Sequence, residues 1–164
     1  SHPEMKLIIA PHVISESHLK EIMAKLKRPV VRYTEATEES VKQADCLIID
    51  CFGLLSSIYR YGEVSYIGGG FGVSIHNTLE AAVYGIPVVF GPNNKKFLEA
   101  QGLKKCKGGF EITGAEEFNA LMDNWIKDPA SLAASAFCTS LARPTYAGSF
   151  LESVNSASPS GLER

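Results

Sequence analysis

Four glycines and the side chains of His76, Asn77 and Glu80 fall within one short stretch, YIGGGFGVSIHNTLE, from Tyr66 to Glu80. Gly68, Gly69 and Gly70 remove every side chain where a β-favouring run, Val64 to Ile67, must turn, and Gly72 follows. Glycines after a strand and before a helix expose backbone N–H groups beside the positive end of the helix dipole, a combination that binds phosphate. His76, Asn77 and Glu80 put polar side chains at the start of that helix. Asn77-Thr78-Leu79-Glu80 has the Asn-x-x-Glu form of a capping box, so the helix is expected to begin near His76 or Asn77. The same residues also admit a purely structural role. Asn77 and Glu80 would then be two halves of the box, His76 a loop histidine bonded to backbone, and the glycines a tight turn. The glycine spacing matches neither common nucleotide fingerprint: Val73 stands where a dinucleotide motif needs its third glycine, and no Gly-Lys-Ser/Thr follows.

The elements that position this stretch alternate between strand and helix. Lys6 to Ala10 reads as a strand closed by Pro11-His12. Ser15 caps a helix whose apolar stripe is Leu19, Ile22, Met23 and Leu26. Pro29 to Tyr33 and Cys46 to Ile49 are further strands, separated by a short helix over Ser40 to Ala44, and the second ends at Asp50. Leu54, Leu55, Ile58 and Tyr59 share a helical face. After the glycine strand and its helix, which Gly85 ends, Ile86 to Phe90 is a buried strand. Asn93 to Gln101 is a helix and Gly108 to Ile112 the last strand. Gly114 to Lys127 is a helix with Phe118, Leu121, Met122 and Trp125 on one side. Asp128-Pro129 breaks it, and Ala130 to Ser140 is another helix.

Short apolar strands alternating with helices predict an α/β, three-layer Rossmann-like domain over residues 5–140, with a parallel sheet of about six strands. Ligands of such sheets sit outside the carboxyl ends of the strands. His12, Asp50, the Gly68–His76 loop and Gly91-Pro92-Asn93 all follow strands and are expected on one rim. Tyr59 and Trp125 are expected in the core. Leu141 to Arg164 is rich in Ser, Ala, Pro and Gly and reads as an irregular tail, with a frame-shifted or vector-derived origin left open.

Composition narrows the function classes. The 164 residues are 45% apolar and 21% charged, as in ordinary globular proteins. A formal charge of −2 argues against a nucleic-acid binder. The four cysteines, Cys46, Cys51, Cys106 and Cys138, show neither a C-x-x-C pair nor zinc spacing. They read as buried thiols of a reducing compartment. With no signal peptide and no run near the ~20 apolar residues of a membrane span, a cytoplasmic location is expected. Ser1-His2 reads as a cloning remnant.

The run from Asp50 to Glu99 resembles the 3-deoxy-D-manno-octulosonic acid (Kdo) transferases, which attach Kdo to lipid A precursors. The carrying segments are DCFGLLSSIYRYGEVSYIGGGFG, HNTLEAAVYGIPVVFGP and KKFLEA. Asp50, Gly53, Leu55, Tyr59, Gly68, Gly69, His76, Asn77, Leu79, Glu80, Gly85, Pro87, Val88, Phe90, Gly91, Pro92, Phe97 and Glu99 match the family pattern. There are departures. Ile75 stands where the family has glycine, and Ala81 where proline is usual. Ala10-Pro11-His12 replaces a run that carries an arginine.

The resemblance implies the nucleotide-binding C-terminal half of a two-domain GT-B glycosyltransferase with CMP-Kdo as donor. Gly68, Gly69, Gly70, His76 and Asn77 would face the CMP phosphate, and Glu80 would accept from the ribose hydroxyls. Pro11 and His12 would border the cytosine or the phosphate. The general base of an inverting transfer would lie in the absent N-terminal half, so no catalytic residue is expected here and this piece alone would be inactive. The lipid A precursor would also meet that half. The whole enzyme would associate peripherally with the cytoplasmic face of the inner membrane. No metal or cofactor is implied, since helix dipole and N–H groups can stabilise the leaving phosphate. Two alternatives stay open: the donor domain of a UDP-sugar GT-B enzyme, and a non-catalytic nucleotide-binding module.

Overall fold

A computed structural model describes residues 2, 4–72 and 74–156. They fall into two compact units, residues 1–58 and 59–164.

The first unit contains β1 (Leu7–Ile9), α1 (Glu16–Lys25), β2 (Val30–Arg32), α2 (Glu38–Gln43), β3 (Cys46–Ile48) and α3 (Leu55–Ile58). Its sheet has the order β1-β3-β2, all parallel, with Cys46 facing Leu7 on one side and Val30 on the other. The central strand is the buried one: Cys46 and Ile48 are buried, whereas Leu7 and Ile8 of β1 are exposed. Ser15 caps α1 by accepting the His18 N–H at 3.4 Å, as the sequence predicts. Thr37 and Ser40 form a reciprocal capping box for α2, which the sequence reading misses because serine replaces the usual Glu or Gln at the third position.

The second unit contains β4 (Ser65–Ile67), α4 (Leu79–Ala82), β5 (Val88–Phe90), α5 (Leu98–Lys105), β6 (Gly109–Glu111), α6 (Ala115–Lys127) and α7 (Pro129–Ser156). The sheet order is β4-β5-β6, again parallel, with Phe90 between Ile67 and Glu111. Val88, Val89 and Phe90 are fully buried, the continuous apolar run that a strand covered on both faces requires. Alternation sends Val88 and Phe90 to one face, where they meet Ile67, Leu79, Ala100 and Leu103. Val89 goes to the other, where Ile112, Trp125, Phe118, Leu121 and Met122 enclose it. The rings of Phe110 and Trp125 meet edge to face at 4.9 Å, a geometry that adds about 1 kcal/mol beyond the burial itself. Tyr59 packs against the first cluster, so both aromatics read as core are core.

Three expectations need correction. Six parallel strands form, but as two sheets of three instead of one sheet of about six. Each strand is three residues long. The last helix does not stop at Ser140 but runs to Ser156. Ala142 packs against the core cluster, and tertiary contact of this kind overrides weak local propensity. Residues 157–164 of the expected tail lie outside the described residues. Finally, only Cys46 is buried; Cys51, Cys106 and Cys138 are half-buried, and all four thiols are free. Among the described residues, no helix is long and apolar enough to cross a membrane.

Candidate functional site

The glycine stretch leaves the carboxyl end of β4 and folds back on itself. Gly69 and Ile75 form an isolated antiparallel bridge, and the His76 N–H donates to the Gly68 carbonyl at 3.2 Å. Gly69 and Gly70 both sit at φ +84°, where an L side chain is strained. Space forbids one as well. A β-carbon on Gly70 would lie 2.6 Å from Cγ2 of Ile75 and 2.9 Å from Cα of Gly91. Ile75, which departs from the family pattern, is thus the buried plug of the loop.

The loop is closed from beneath by the turn after β5. The Asn93 N–H donates to the Gly70 carbonyl at 2.9 Å, and its side-chain amide donates to the Gly72 carbonyl at 3.3 Å. Gly91 lies against Gly69 and Gly70 so closely that a β-carbon there would be 2.8 Å from the Gly69 carbonyl oxygen. Two of the segments expected on one rim, Gly68–His76 and Gly91–Asn93, are therefore joined.

His76 and Asn77 are exposed beyond this loop, and Glu80 is half-exposed. Asn77 does not make the expected capping box. Its Oδ1 accepts from the Leu79 N–H at 2.9 Å, two residues on, while its Nδ2 donates to Glu80 Oε1 at 3.2 Å. Asparagine commonly bonds its own backbone two residues ahead, and here that turn displaces the box, leaving Thr78 at the N-cap position without a capping bond. The helix α4 has four residues, well short of the one expected from His76 or Asn77 to Gly85. The hydroxyl of Thr78 is buried without a hydrogen-bond partner. On the buried side of Glu80 sits Tyr59. Burial, then the negative charge of Glu80, pushes its phenol up to about 12.

Pro11 and His12 follow β1 in the 1–58 unit, Pro11 half-buried and His12 exposed. Gly68, Gly69, Gly70, His76, Asn77 and Glu80 are gathered in the other. Asp50, at the end of β3, orders the loop after β2. It accepts the Thr34 N–H at 3.0 Å and the Thr34 hydroxyl at 2.6 Å, with Arg32 Nε at 3.8 Å. Burial raises its pKa, but the Thr34 hydrogen bonds and the Arg32 charge outweigh that and leave it below the usual aspartate value. Many of the other motif residues are core rather than site: Leu79, Val88 and Phe90 are buried, with Tyr59 and Phe97 packed on them. The sequence reading does not single out Asn94, Gln101 and Glu111, which underlie the glycine loop. Only the asparagine pair after Gly91-Pro92 signals anything there, and it signals a turn. Among the described residues, no group of three or more His, Cys, Asp or Glu side chains is placed to hold a metal.

Each unit has a parallel three-stranded sheet with flanking helices, the Rossmann-like α/β layout, and the second carries a glycine loop at a strand's carboxyl end. The fold is that of the crystallised C-terminal CMP-Kdo binding domain of WaaA from Acinetobacter baumannii, with TM-score 0.70 and 15% identity, covering 84% of this chain and 88% of that one. By sequence the chain belongs to the 3-deoxy-D-manno-octulosonic acid transferases. It is 31% identical over 124 residues to that transferase of Aquifex aeolicus, covering 71% of this chain and 32% of the relative. With the Rickettsia bellii transferase it shares 28% over 148 residues, or 79% of this chain and 35% of the relative. For the Chlamydophila psittaci transferase the match is 33% over 92 residues, covering 54% of this chain and 21% of the relative. The chain thus spans about a third of the length of the relatives it matches. No protein-family model matches it.

Proposed function

We propose that this chain is the donor-binding part of a Kdo transferase that takes CMP-Kdo as donor. The observation that carries the reading is the assembly of family-matching residues from separate segments, Gly68 and Gly69, His76, Asn77 and Glu80, and Gly91, around one loop. The phosphate of CMP lies over the loop, facing Gly68, Gly69, Gly70, His76 and Asn77. With α4 so short, loop N–H groups and the two polar side chains matter more than a helix dipole. Glu80 accepts from the ribose hydroxyls. Its bond to Asn77 holds the carboxylate in place, and exchanging that partner for a hydroxyl costs little at a half-exposed site.

In the complete enzyme, an acceptor hydroxyl on a lipid A precursor attacks the anomeric carbon of Kdo as the bond to CMP breaks, with inversion. A general base outside this chain takes the hydroxyl proton, and the loop stabilises the departing phosphate. Without that base the 164-residue chain binds the donor but does not turn it over. The whole enzyme works at the cytoplasmic face of the inner membrane, held there peripherally.

The test is titration of the chain with CMP, UMP and NAD, following the amides of Gly69, His76 and Glu80 by NMR. Shifts with CMP alone, lost in Glu80→Ala, support the reading. Half a cleft binds weakly, with Kd on the order of millimolar. A response to UMP but not CMP would replace it with a UDP-sugar enzyme, and silence with all three would remove the donor site from this chain.

A further inference from the structure

Directly beneath the glycine loop lies a fully buried polar side chain. Asn94 has no exposed surface, and each of its side-chain hydrogen-bonding atoms is used. Its Nδ2 donates to the Gly91 carbonyl at 2.8 Å and to Glu111 Oε2 at 2.9 Å. Its Oδ1 accepts from Gln101 Nε2 at 2.7 Å, and the same Gln101 nitrogen lies 3.1 Å from the Asn94 carbonyl. Lys104 holds Glu111 from the solvent side through the same Oε2 atom.

These partners fix the orientation of the amide. Turned over, its oxygen would face the Gly91 carbonyl and the Glu111 carboxylate, both acceptors, and its nitrogen would face the Gln101 amide, a donor. An aspartate would place negative charge against both acceptors. A leucine of similar shape would leave the buried Gly91 carbonyl without its Asn94 donor and take from Gln101 one of its two acceptors.

The consequence reaches the loop in one step. Gly91, whose carbonyl Asn94 holds, packs against Gly69 and Gly70, and the neighbouring Asn93 ties down the Gly70 and Gly72 carbonyls. A fully satisfied buried network of this kind specifies one position for the backbone it touches. The geometry points to Asn94, braced by Gln101 and Glu111, as a positioning residue that sets the glycine loop for the donor phosphate. The inference rests on the donor-site reading for its ligand. It does not rest on that reading for its effect on the loop.

Two readouts on the 164-residue chain keep those apart. Hydrogen exchange at the Asn93 and His76 amides reports loop order, and CMP titration reports the site. Asn94→Ala is expected to speed exchange at both amides and to weaken CMP binding about tenfold, the equivalent of one uncompensated buried hydrogen bond. Glu111→Gln, which keeps an acceptor for Asn94, is expected to retain CMP affinity, whereas Glu111→Leu is expected to lose it. A merely structural role would lower the melting temperature and leave the CMP affinity of the folded fraction unchanged. Should Asn94→Ala not fold, Gln101→Leu and Glu111→Leu decide, since both positions are less buried. Exchange rates unchanged in these folded variants would overturn the inference. If the unmodified chain does not bind CMP, the donor reading fails, and exchange alone judges the positioning role.

Discussion

Replacing Gly70 by alanine tests the architecture of the loop most directly. At φ +84° a β-carbon is strained by about 1–2 kcal/mol. It would also lie 2.6 Å from Ile75 Cγ2, 2.9 Å from Gly91 Cα and 3.0 Å from the Gly91 carbonyl carbon. Two of those three atoms are backbone and cannot rotate away, so an overpacking cost of about 1–3 kcal/mol is added. The expected loss is about 2–5 kcal/mol, a large share of the roughly 5–15 kcal/mol that holds a domain together. Gly72→Ala, two residues on, meets nothing within 4 Å and is expected to change stability by less than about 0.5 kcal/mol. Urea unfolding followed by the fluorescence of Trp125, the single tryptophan and a core residue of the 59–164 unit, measures both. The partial refuge for Gly70→Ala is to swing the loop off Gly91, which would weaken CMP binding even in molecules that stay folded. A Gly70→Ala protein as stable as Gly72→Ala would refute the reasoning, because loop and turn would then not be in contact.

Two titrations probe the charged groups. Tyr59 should ionise at about 12 in the fold, above the roughly 10 of an unfolded tyrosine. Its contribution to stability is therefore complete below about pH 10 and is lost as pH rises through the folded value. Glu80→Gln should lower that ionisation, read as tyrosinate absorbance; no change would place Glu80 away from the phenol. Asp50 titrates below the ordinary aspartate value, so it stabilises the 1–58 unit above about pH 4, and that contribution fades as pH falls through the folded value. Thr34→Val removes one of its donors and should move the Asp50 carboxyl resonance midpoint upward in a 13C NMR titration. An unmoved midpoint would rule out the Thr34 hydroxyl as a cause.

Much of the fold is legible without coordinates because its signals are local. Continuous apolar runs mark β3 and β5, helical spacing marks α1 and α6, and the glycines mark the turn after β4. The placement of Trp125 and Tyr59 in the core follows from the same spacing. What misleads is also local: Asn77-x-x-Glu80 has the form of a capping box, but the choice between that box and an Asx turn depends on the path of the entering chain. That path is set by the Gly69–Ile75 bridge and by the Asn93 bonds, and Asn93 lies beyond the helix, on the far side of β5.

On its own, the sequence determined the strand–helix alternation, the glycine turn after β4 and the family, since each rests on residue type at short spacing. Only the tertiary structure decided that the six strands form two sheets of three, that Ile75 plugs the loop, and that Asn94, Gln101 and Glu111 brace it. Those outcomes depend on contacts between residues far apart in the chain. Buried hydrogen bonds and close backbone approach carry no periodic signal along the sequence, so no local pattern announces them.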